Sequence, residues 1–159
     1  MHADVGTAIA DLYRIFSPYR FGAGARDSGA PVMLGPLEER LLRTLPIREL
    51  PADLLVAYAR ALPYELCAPV SSDLRALLPR YLELFAAGAP DLDPGLMHAF
   101  EGLARAGYRD HWSGDEVAAL DRFMEALERA AAGDDDRMSR AARLAAAAGR
   151  AKIDGAPGP

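Results

Sequence analysis

An all-α fold, a compact irregular bundle of six or seven short helices, is what this sequence predicts. Three observations carry the prediction. Apolar residues recur at spacings of three and four through most of the chain. Prolines and glycines divide it into helix-length pieces. No stretch alternates with period two for long enough to make a strand. A short α-helical repeat-like stack is the competing architecture, although no internal repeat of fixed length appears.

The first helix is predicted over Asp4 to Phe16, with Val5, Ile9, Leu12, Ile15 and Phe16 on one stripe and Ser17-Pro18 ending it. Residues 19–35 hold Gly22, Gly24, Gly29, Pro31 and Gly35 and read as a loop. A connection of this length is expected to cover a surface or meet a partner. Pro36 suits the first helical position, where its missing N–H breaks no bond, and Leu37, Leu41 and Leu42 supply the buried side of a short second helix. Pro51 opens the third helix in the same way, with Leu54, Leu55, Tyr58, Ala59 and Leu62 before Pro63.

Ser71 or Ser72 is expected to cap a fourth helix whose stripe is Leu74, Leu77, Leu78, Tyr81, Leu82 and Phe85. Pro79 falls inside it and cannot bond to the carbonyl of Arg75, which predicts a kink or two shorter helices. Asp93-Pro94 reads as a cap and first-turn proline for a fifth helix carrying Leu96, Phe100 and Leu103 and stopped by Gly107. Ser113 and Glu116 have the spacing of a capping box before Val117, Leu120, Phe123, Met124 and Leu127, with Gly133 as the stop. Trp112, just before that cap, suits a staple toward Val117. Beyond Gly133, aspartates then arginines follow the sense of the helix dipole, and only Met138 and Leu144 offer an inward face. The organisation expected is one helical domain over 1–133 and an Ala/Arg-rich helical tail over 134–159, weakly docked and ending in disorder.

A chain of 159 residues is long enough for one hydrophobic core. The net charge is −5, and the last 26 residues carry five basic against four acidic groups, so the preceding body stands at −6. An acidic body argues against nucleic acid as a partner, because phosphate contacts need Lys or Arg. No apolar run is long enough to span a bilayer, and Asp4 and Asp11 fall where a signal peptide would be apolar, so the expectation is no membrane and a cytoplasmic location. A lone cysteine, Cys67, excludes an internal disulfide and cysteine-rich zinc spacings. No cofactor and no metal are expected. Arginine in place of lysine everywhere but Lys152, with abundant alanine, suits a GC-rich bacterial genome.

Chemistry-bearing patterns are incomplete. The Gly22–Gly29 loop lacks the third glycine of a dinucleotide fingerprint and the lysine of a phosphate-binding loop. His98 and Glu101 share a helix face but lack the further ligands a metal needs, and Cys67 has no base nearby in sequence. The candidate ligand pocket is Arg80, Tyr81, His111 and Trp112, where a kink at Pro79 would leave carbonyl groups beside an aromatic wall. The candidate interaction surface is Tyr19, Arg20 and Phe21 with Arg137, Arg140 and Arg143.

From Pro36 to about Ala131 the chain resembles an uncharacterised family of short all-helical bacterial proteins. The resemblance rests on PIRELPADLLVAYARAL at 46–62, LRALLPRYLEL at 74–84, and Trp112 with DEVAALDRFMEAL at 115–127. It implies a helical fold and no assigned activity. Relatives often carry a cysteine cluster where residues 27–34 here read DSGAPVML, so no metal or redox role carries over. The leading functional expectation is a non-enzymatic cytoplasmic interaction module for an unidentified protein partner: an adaptor, regulatory subunit or immunity-type binder. The alternative is a small-molecule binder or enzyme using the Arg80–Trp112 pocket. A third reading is nucleic-acid contact through the arginine tail.

Overall fold

The structure, a computed structural model, describes residues 3–22, 34–62, 68–89 and 91–149. Cys67, Tyr64, most of the glycine loop, the 27–33 stretch and residues 150–159 lie outside the described residues. Within them the chain is all-helical: α1 (Ala3–Ile15), α2 (Pro36–Thr44), α3 (Ala52–Arg60), α4 (Ala68–Ala86), α5 (Asp93–Arg105), α6 (Tyr108–His111), α7 (Gly114–Ala131) and α8 (Asp135–Ala147), with a 3-10 turn at Ile47–Glu49.

The helices form a compact bundle. In a repeat stack each unit touches only its neighbours in sequence. Here α1 packs along α7, α8 lies against both α5 and α7, and α4 sits among α1, α3 and α5. Consecutive helices joined by short connections also touch, at α3–α4, α4–α5 and α7–α8, whereas the long stretch 19–35 follows α1. The α1 stripe of Val5, Ala8, Ile9 and Leu12 finds the apolar face of α7, where Ala119, Leu120, Phe123 and Ala126 are buried.

Local signals act where they have no competitor. Ser113 accepts the Glu116 N–H at 3.3 Å while the Glu116 carboxylate accepts the Ser113 N–H at 2.8 Å, completing the capping box. Gly107 takes φ 67°, a left-handed turn that a side chain would strain, and links α5 to α6. The α6 turn exceeds the six or seven helices expected because four residues are too few to show a period. It is held by tertiary bonds: the Tyr108 hydroxyl donates to the Ala148 carbonyl at 3.0 Å, and Arg109 grips Asp121 at 2.6 Å.

Elsewhere tertiary context overrides the local rule. α4 begins at Ala68, so Ser71 and Ser72 lie inside it rather than capping it. It runs through Pro79 as one helix, because Leu74, Leu77, Leu78, Tyr81, Leu82 and Phe85 are all at most 2% exposed and their burial outweighs one lost backbone bond. Pro51 stands one place before α3, in extended conformation, instead of at its first position. Asp93 is the first residue of α5, not its cap, and its carboxylate is taken by Arg140. Leu37 is 64% exposed, leaving Leu42 as the fully buried residue of α2. Met138, expected to face inward, is also exposed, and Ala141, Leu144, Ala145 and Ala148 bury α8 in its place.

Candidate functional site

Four helices, α1, α4, α7 and α8, meet around a half-open cavity of about 480 Å³. Val5 of α1, Phe85 at the end of α4, Leu127 and Ala131 of α7 and Ala141 of α8 give it apolar walls. Small residues make the space: Ala86, Ala87 and Gly88 follow Phe85, and Ala130 precedes Ala131. The charged lining residues among those described are Arg137 and Arg140, both on α8.

The two arginines differ in their engagement. Arg140 donates from Nε and Nη2 to the two Asp93 oxygens at 2.8 and 2.7 Å, and its guanidinium lies 4.6 Å from the Phe85 ring centre. The bonds to Asp93 raise its pKa, against an opposing effect of burial. It is a fixed clamp between α8 and α5. Arg137 is about two-thirds exposed and meets Asp134 at 3.1 Å, within its own first turn. An exposed ion pair of that kind is worth about 0–1 kcal/mol, so its cation is readily shared with another anion. Arg143 is also largely exposed, 3.7 Å from Asp93.

The four residues of the expected pocket keep separate company. Arg80 donates from Nε to the Leu50 carbonyl and from Nη1 to Glu83. The buried Tyr81 hydroxyl donates to the Leu55 carbonyl. Trp112 packs edge-on against Phe16 and Tyr108, with Arg75 4.4 Å above its ring centre. His111 is exposed at the end of α6. These contact sets share no residue. Tyr19, Arg20 and Phe21 are brought together at a second cavity of about 550 Å³, with Phe16, Leu42 and Pro79 also in its lining. Phe21 stacks edge-on against Tyr58, and Arg20 donates to the carbonyls of Ser17 and Tyr19.

Two polar clusters were invisible as clusters in the sequence. Arg75 donates to the Tyr19 hydroxyl at 3.0 Å and stands 3.6 Å from the buried Glu116 carboxylate, while Asp73 accepts the Gly22 N–H at 2.6 Å. Together they fasten the segment after α1 to α4 and α7. In the other cluster, Glu83 accepts from the Tyr13 hydroxyl at 2.6 Å and from Arg80 at 2.7 Å, and Arg48 covers the Tyr13 ring. The signal in the sequence is two arginines, Arg75 and Arg80, close to the apolar stripe of α4.

The Glu83 cluster makes a pH prediction. Burial pushes its carboxyl up, but the bonds from Tyr13 and Arg80 and the charges of Arg80 and Arg48 outweigh it and lower the pKa below the ordinary glutamate value. A depressed folded pKa contributes stability that is present above the unfolded value of about 4.3 and is lost as pH falls through the folded one. Between neutral pH and pH 3, Glu83→Gln is therefore expected to show a shallower loss of stability than the parent chain in urea titrations. Equal slopes would remove Glu83 from the acid response.

Among the described residues, no group of three or more His, Cys, Asp or Glu is placed to hold a metal, and no helix is long and apolar enough to cross a membrane. Fold and site together define an all-α bundle with an apolar, arginine-edged cavity. No protein-family profile matches the chain, and neither the curated proteins nor the solved structures searched gave a match. The resemblance drawn from residues 46–62, 74–84 and 112–127 accordingly brings no function to this cavity.

Proposed function

We propose that the chain is a non-enzymatic binding module that takes a small apolar molecule into the cavity between α1, α4, α7 and α8. The observation that carries this reading is a half-open cleft of about 480 Å³ lined mainly by apolar side chains, within the ~300–1,000 Å³ range of small-molecule sites. The bacterial, cytoplasmic setting read from arginine usage and the single cysteine belongs to the same proposal.

The test is fluorescence of the uncharged probe N-phenyl-1-naphthylamine on the full chain. Saturable binding is expected, and Ala87→Trp, which fills the cavity from an exposed lining position, is expected to weaken it at least tenfold with helical circular dichroism unchanged. Absent binding, or equal binding by Ala87→Trp, would overturn the reading. The protein-interaction reading draws on a different observation, exposed Leu37 on α2 and the aromatic cavity beside Tyr19 and Phe21. A stoichiometric partner lost in Leu37→Asp, with no probe binding, would put that reading first.

A further inference from the structure

We infer that the molecule held in this cavity is an amphiphile with a single anionic head, a monocarboxylate with an apolar tail, whose carboxylate is received by Arg137. The inference rests on the binding reading above and adds the chemistry of the head group.

The charge of the lining is one-sided. Among the described residues, both charged side chains on the cavity wall are guanidinium groups and the other lining side chains are apolar, which suits a ligand with one polar end. A bare hydrocarbon would leave the arginines without gain, and a cationic head would be repelled by them.

The two cations have different tasks. Arg140 is held by both oxygens of Asp93 and by the Phe85 carbonyl at 3.4 Å, so its charge is neutralised and its position fixed. It shapes the wall. Among the described residues Arg137 has only its exposed contact to Asp134, and its guanidinium can present two N–H groups to two carboxylate oxygens. It receives the head group.

The same helix sets the charge of the head. Asp134, Asp135 and Asp136 occupy the cap and first turn of α8, immediately before Arg137. Their repulsion scales with the charge of the head, so a dianion such as a phosphate monoester meets about twice the repulsion of a monoanion with the same single mobile cation to offset it. The apolar tail then runs between Phe85, Leu127 and Ala131, where removal from water supplies the affinity.

The experiment is isothermal titration of the full chain with decanoate, decanol and decyl phosphate, all below their aggregation concentrations. Decanoate is expected to bind at least tenfold more tightly than decanol and more tightly than decyl phosphate. Arg137→Gln, at an exposed position that leaves the core intact, is expected to bring decanoate down to the decanol level and to leave decanol unchanged. Raised salt should weaken decanoate alone. Decanol binding as well as decanoate, or decanoate indifferent to Arg137→Gln, would overturn the head-group assignment while the cavity reading stood. If none of the three binds, and the uncharged probe fails as well, the cavity reading itself falls. Tighter binding of decyl phosphate would replace the monocarboxylate by a dianion.

Discussion

Replacing Phe123 by alanine is expected to lower the unfolding free energy by about 3–5 kcal/mol, a large part of the ~5–15 kcal/mol typical of a domain. Phe123 is fully buried on α7, on the face that receives α1, and no polar group there compensates for its loss. Neighbouring helices are tied by side-chain bonds elsewhere, so the vacated space collapses only in part. The midpoint of thermal unfolding should fall by roughly 10 °C, at ~2–4 °C per kcal/mol for a chain of this size. Leu37→Ala, at an exposed site, is the control and should stay within about 0.5 kcal/mol of the parent. Urea unfolding followed by circular dichroism measures both, and a Phe123 effect below about 1 kcal/mol would contradict the packing described.

Arg75→Met should cost about 2–3 kcal/mol through a different mechanism. The substitution keeps apolar volume but removes the cation beside Glu116, whose side chain is 6% exposed. Breaking a buried pair typically costs ~3–5 kcal/mol, reduced here because Arg75 is one-fifth exposed and Glu116 keeps the Ser113 N–H. In a Glu116→Gln background the same substitution should cost much less, since no charge is then left behind. Equal costs in the two backgrounds would show that the pair contributes nothing. Trp112, the single tryptophan, reports the event directly, because removing the guanidinium over its ring should shift its emission in the folded chain.

The sequence was most legible where one local rule acted alone. Ser113 and Glu116 satisfy each other's N–H groups within a single turn, and Gly107 supplies a backbone angle that other residues resist, so neither needed knowledge of the fold. Pro36 likewise stands at a helix start. Legibility failed where a distant residue entered. Asp93 has the chemistry of a cap, but a cap offers it one N–H, whereas Arg140, 47 positions away, offers two charge-assisted bonds. Pro79 has the chemistry of a breaker, but the apolar faces on both sides of it are buried together.

The candidate site was legible only in fragments. In the sequence Arg137 and Arg140 read as cations of a loosely docked tail, while α8 packs against α5 and α7 and carries both to a cavity wall. Arg80, Tyr81, His111 and Trp112 make separate contacts, and α4 runs through Pro79 as one helix rather than two. The walls themselves read as ordinary helix formers, because alanine at positions 86, 87, 130, 131 and 141 signals helix propensity and says nothing about empty space. A cavity between four helix ends depends on how those ends meet.

The cavity has Val5 on one side and Ala141 on the other. During synthesis the α1 wall emerges well before the α8 wall, so the pocket is completed only when α8 docks. An occupant bound there bridges the earliest and latest of the described helices, and by mass action it disfavours openings that separate them. Amide hydrogen exchange should then slow most in α1 and α8 when the cavity is filled, with α2 and α3 little affected.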